Sequence, residues 1–247
     1  MSKQPIQTAS KPSGTDQHNA EVTASPGNEN STNSNDAGED VTTVFDRQRQ
    51  LEALLQHPQI LRIGKSTLAE SVPTGFAGLD RLLRGGWPAA GLTEMFVERY
   101  GSGEISLLLP GLLSRAASSG LIVWVAPPYI PYAPALQQVG FDLSRVLVVN
   151  AADDKESLWS IEQAVKSSAC VAVLGWAAVA GEHGLRRLQL AAEQYHCWVV
   201  LFRPLRFVKS SSIAALRLRV VAGPAATLQV QVLKNRCAPP GTVNLSL

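Results

Sequence analysis

Between Leu92 and Phe202 five short apolar runs alternate with longer stretches in which polar and apolar residues mix. The runs are Leu92–Val97, Leu121–Ala126, Val146–Asn150, Val171–Gly175 and Trp198–Phe202. This alternation limits the fold more than any other feature. Runs of that length without polar alternation predict strands covered on both faces, and such strands form parallel sheets joined through helices. The intervening stretches predict helices over Glu104–Ser118, Pro131–Gly140, Asp153–Ser167 and His183–Tyr195. The third opens Asp153-Asp154-Lys155-Glu156, which sets carboxylates against the positive end of a helix dipole. From Ile213 the texture returns to strand, over Leu216–Val221, Thr227–Leu233 and Thr242–Leu245. The expectation is an α/β fold: a mainly parallel twisted sheet flanked by helices, with a β-rich C-terminal edge.

The other end of the chain offers no core. Residues 1–40 are mostly Asn, Ser, Thr, Gly and Pro, with two lysines against six acids, and predict a disordered polar tail extending to about residue 44. Residues 45–72 predict a short helix, with Leu51, Leu54 and Leu55 at helical spacing, and a linker after His57-Pro58. The folded domain is expected over 73–247. Between Pro73 and Gly91 the glycines and prolines predict repeated turns rather than a long element. Charge is uneven as well. From Arg186 onward nine Lys and Arg face a single acid, Glu193, which favours a polyanion or an acidic partner surface on that side. Cys170, Cys197 and Cys237 match neither a zinc spacing nor a disulfide framework, so free thiols in a reducing cytosol are expected. The polar start and the lack of an apolar run near the ~20 residues of a membrane span predict a cytoplasmic protein.

Two places invite a phosphate-binding reading. Gly64-Lys65-Ser66-Thr67 looks like the end of a phosphate loop, but Gln59 stands where the leading glycine belongs. No apolar strand precedes it and no helix follows, so its N–H groups do not converge. The second place has the right context and the wrong residues. The turn after Leu92–Val97 reads Glu98-Arg99-Tyr100-Gly101-Ser102-Gly103-Glu104-Ile105. With Gly103 as the second loop glycine, Glu98 replaces the first glycine, Glu104 the lysine and Ile105 the hydroxyl residue. A carboxylate there repels phosphate, and isoleucine offers magnesium no oxygen. The strand Val171–Gly175 ends at Trp176 rather than at a metal-holding acid. No bound cofactor, metal or catalytic residue is expected.

The order Pro73-Thr74-Gly75, Leu79-Asp80, Leu82-Leu83, Gly85-Gly86, Pro88, Gly91 and Glu94 resembles the approach to the ATP loop of RecA-type recombinases. Within that superfamily the chain is similar to the ImuA family, relatives of the SulA division inhibitors. The carrying residues are Leu51–Leu55, Leu107-Leu108-Leu109-Pro110 and Ala214-Ala215-Leu216-Arg217-Leu218-Arg219. The resemblance spans roughly residues 45–247. It implies a RecA-like domain with a degenerate ATP loop, acting without catalysis in SOS-induced translesion DNA synthesis. The implied partners are an ImuB-like Y-family protein and an error-prone polymerase catalytic subunit, with RecA a further candidate. A SulA-like inhibitor of the tubulin-like division protein is the rival reading.

The basic excess supplies the candidate surface. Arg203, Arg206 and Lys209, with Phe207 and a serine run, are expected in a loop suited to single-stranded DNA or an acidic partner. Arg217 and Arg219 alternate with leucines and share one strand face, and Lys234 and Arg236 end the next strand. Trp124, Trp176 and Trp198 are expected as packing residues with bonded N–H groups. Tyr129 and Tyr132 are expected in a packed loop, and His183 and His196 at the surface.

Overall fold

The computed structural model describes residues 70–117 and 120–247. The expected tail, the Leu51–Leu55 helix and the Gly64–Thr67 tetrapeptide lie outside the described residues. The described chain opens with a two-residue strand, β1 (Ser71–Val72), antiparallel to β2 (Trp87–Pro88). Between them, in the stretch expected to turn repeatedly rather than form a long element, runs a seven-residue helix, α1 (Ala77–Leu83). Leu79 and Leu83 bury one side of it, and Arg84 in the left-handed region stops it.

The expected alternation follows: β3 (Gly91–Val97), α2 (Glu104–Ala116), β4 (Leu121–Val125), α3 (Ala133–Gln138), β5 (Val146–Val149), α4 (Asp154–Lys166), β6 (Cys170–Trp176), α5 (Glu182–Gln194) and β7 (Trp198–Pro204). Three strands complete the chain, β8 (Leu216–Ala222), β9 (Thr227–Asn235) and β10 (Gly241–Ser246). They join one eight-stranded sheet in the order β10-β9-β8-β3-β7-β6-β4-β5. From β8 to β5 every pairing is parallel, whereas β9 and β10 add antiparallel. The α/β architecture with a β-rich C-terminal edge is as the sequence predicts.

Alternation along each strand divides the core between the two sheet faces. On β7, Trp198, Val200 and Phe202 join one cluster with Leu107, Leu108 and Leu112 of α2. Val199 and Leu201 join the other with Ile161 and Val165 of α4 and Leu185 and Leu188 of α5. Gln189 of α5 is buried, and its amide oxygen accepts from the backbone N–H of Leu92 (3.1 Å) and of Ala215 (2.9 Å), tying β3 to the approach of β8.

Two expectations need correction. Val146–Val149 is an edge strand paired on one side only, so Leu147 and Val148 are exposed rather than covered. The helix expected over Pro131–Gly140 is shortened to α3, because Tyr132 is extended ahead of it and Gly140 turns to positive φ behind it. Among the described residues, no helix is long and apolar enough to cross a membrane.

Candidate functional site

The strand–turn–helix unit from β3 to α2 has a loop geometry that follows from one residue. Gly103 adopts φ +103°, and a side chain there would meet Leu247, so only glycine brings the loop into α2 at this angle. Glu104 then begins the helix and is buried. Its carboxylate turns back and accepts from the backbone N–H of Gly101 (2.7 Å) and of Ser102 (2.8 Å). In sequence Glu104 stands where a phosphate loop has its lysine. In the structure it is also a bound anion, because its oxygens take up the N–H groups that a phosphate loop turns toward a phosphate. Glu98 is exposed and Ile105 is half-buried.

Beside this loop a cleft of about 420 Å³ lies between the start of α2 and the β4–α3 connection. Leu109, Trp124, Trp176 and Leu136 line it. Trp176 ends β6, and its ring stacks on Phe202 at 4.6 Å and tilts against Trp124 at 5.7 Å. The outer wall is Pro127 to Tyr132. Tyr129 and Tyr132 are exposed rather than packed, and Ile130 is 94% exposed. Of the expected indole bonds, Trp198 makes one, to Thr93 Oγ1 at 3.0 Å. The N–H groups of Trp124 and Trp176 find no acceptor among the described residues, a correction to the expectation. Both rings belong to the apolar cluster on that sheet face.

The candidate basic surface divides in two. Arg203, expected in an exposed loop, lies in β7 with its side chain 2% exposed. Its guanidinium donates to Glu94 Oε1 at 2.6 Å, and Arg217 donates to Glu94 Oε2 at 2.9 Å. Glu94, in β3, is wholly buried, with Arg217 directly beside it in register on β8. Arg203 and Arg217 also lie over the ring of Phe96. The same cations hold down the segment that follows β7. Arg217 donates to the carbonyl of Val208, Arg203 to the hydroxyl of Ser210, and Lys234 to the carbonyl of Ser212. Burial, with Arg236 and Arg217 nearby, pulls the Lys234 ammonium below its ordinary value. Arg236 pairs with Glu193.

Arg203 and Arg217 therefore meet on an internal carboxylate rather than on an exposed surface, with Lys234 nearby. Arg219 shares the strand face of Arg217 and is half-buried. Arg206 and Lys209 stand exposed on the segment that the other cations hold. The sequence marks Glu94 through the family resemblance but not its ion pairs, whose partners lie 109 and 123 residues away.

No protein-family model matches the chain. Ninety of its residues are 34% identical to Protein ImuA of Caulobacter vibrioides strain NA1000, and equally to Protein ImuA of strain ATCC 19089. Over that stretch the chain is ImuA-like. The match covers 36% of this chain and 36% of each relative. Among the described residues no group of three or more His, Cys, Asp or Glu is placed to hold a metal. His183 and His196 are at the surface, as expected. Burial pushes the Cys197 thiol up to about 12, and Cys237 is exposed.

Proposed function

We propose that the chain is a non-catalytic accessory component of the ImuA/ImuB mutagenesis system. It assembles with an ImuB-type Y-family-like protein and an error-prone polymerase subunit during the SOS response, with RecA as a further partner. The likeness to Protein ImuA supports the system. The observation that carries the non-catalytic part is the Glu104 carboxylate on the N–H groups of Gly101 and Ser102. With its own anion in place the loop no longer offers the N–H groups of Gly101 and Ser102 to a phosphate, and a second anion would meet a fixed negative charge. Arg206 and Lys209 give the protein an exposed basic contact for single-stranded DNA. Calorimetry with ATP and magnesium tests the reading. No saturable heat is expected; a micromolar dissociation constant, about −8 kcal/mol, overturns it.

A further inference from the structure

The cleft beside the Glu104 loop is left unused by that reading, and its chemistry is distinctive. From Ala126 through Phe141 the chain contains no Lys, Arg, His, Asp or Glu. The one carboxylate in the lining, Glu104, is already consumed by the loop N–H groups. A nucleotide or a charged peptide entering this space would lose water and find no counter-charge. The complementary occupant is uncharged and apolar.

Apolar surface extends past the cavity. Tyr129, Ile130, Tyr132 and Val139 are exposed at 68, 94, 72 and 42%, and all four line this one cleft. A small molecule filling the cavity would leave the outermost of them, Ile130, in water. Only a macromolecular surface covers the wall and fills the cleft together. Pro127, Pro128 and Pro131 fix the backbone of the wall, so little conformational freedom remains to be lost on binding.

We propose that this cleft is the dock for an uncharged apolar segment of a protein partner, which places an aliphatic or aromatic anchor against Leu109, Leu136 and Trp124 and covers Ile130. The proposal rests on the reading above, in which that partner is the ImuB-type protein. The cleft that resembles a nucleotide site in position is thereby assigned to a peptide in chemistry.

The test measures affinity of the full-length chain for the purified ImuB-type protein of the same organism, by calorimetry, with two variants. Ile130→Asp puts a charge at a side chain already in solvent, so the fold tolerates it. Leu190→Asp does the same on α5, where Leu190 is 51% exposed and away from the cleft lining. The expected result is a loss of about thirtyfold for Ile130→Asp and less than about threefold for Leu190→Asp. Equal losses for the two variants, or an Ile130→Asp affinity within threefold of wild type, overturn the dock and leave the functional reading standing. No binding by the wild-type chain overturns both. Sedimentation of the chain alone gives the remaining outcome: self-association abolished by Ile130→Asp makes a second copy the occupant and overturns the proposal.

Discussion

Two buried carboxylates stand close in sequence, Glu94 inside β3 and Glu104 at the start of α2, and the chain neutralises them by different means. Glu104 bonds to backbone N–H groups two and three residues away. Glu94 bonds to two guanidiniums delivered by β7 and β8 from the other side of the chain. Backbone donors at a helix start are already dry and oriented, so Glu104 requires no second charge to be buried. The Glu94 site must dehydrate three charged side chains, and it recovers that cost only while all of them are present. One site is a local plug; the other is a tertiary clasp that fixes three strands and the segment after β7.

The largest effect expected from this contrast is at Glu94. Replacement by Ala leaves Arg203, with its side chain 2% exposed, without its carboxylate, and should cost about 3–5 kcal/mol in urea unfolding. Replacing the triad together, Glu94→Leu with Arg203→Met and Arg217→Leu, should recover most of that loss, because no buried charge is then unpaired. A single-variant cost under about 1 kcal/mol would mean that water reaches the cluster, and the contrast would collapse.

Glu104→Ala should cost less, about 2–3 kcal/mol, since it removes hydrogen bonds to one charged group and strands no partner charge. It should also free the N–H groups of Gly101 and Ser102. Inorganic phosphate should then raise the melting temperature of the variant more than that of the wild type. A wild type that gains equally from phosphate would show that the carboxylate does not occupy the loop.

The same contrast explains what was legible in the sequence. The strands from β3 to β7 and the helices between them could be read because their apolar runs repeat locally. The departure from phosphate-loop residues could be read because Glu98, Glu104 and Ile105 sit at fixed offsets from Gly103. What Glu104 does instead was not legible, because it depends on the loop turning its N–H groups inward. The fate of Arg203 was not legible either. Along the chain, Arg203 to Lys209 looks like a basic loop, and only the register of β7 against β3 sets Arg203 beside Phe96 and within reach of Glu94. The exposure of Tyr129 and Ile130 escaped for a related reason: apolar residues beside prolines read as packed until the fold shows nothing over them.

Arg206 and Lys209 stand exposed outside the clasp that buries Arg203, so their removal should not unfold the protein. The double variant Arg206→Ala with Lys209→Ala should keep stability within about 0.5 kcal/mol of wild type. Anisotropy with a single-stranded oligonucleotide should show its effect instead. The slope of log affinity against log salt should flatten by about 1 to 1.5, because two phosphate contacts are lost at roughly 0.7 each. Weak binding identical in both proteins would take these residues out of any nucleic-acid contact.

The smallest expected effect lies where the two sites meet, at Tyr100. This loop residue is half-buried, and its phenol is raised above its ordinary value, first by burial and then by Asp154, with Arg206 and Arg203 opposing and Glu104 adding to the rise. Removing a cation should therefore raise it further, and removing the Glu104 charge should lower it. Arg206→Ala and Glu104→Gln make those two changes, and absorbance near 295 nm, with Tyr100→Phe as the subtraction, reads them. The linkage has one sign: a folded value above the unfolded value of 10.0 favours the protonated, folded form. That contribution to stability is complete below pH 10 and is lost as pH rises through the folded value, so the alkaline limb of unfolding should move up for Arg206→Ala and down for Glu104→Gln. Shifts of the same sign in both variants would mean that Tyr100 senses loosening of the loop rather than the charges of Arg206 and Glu104.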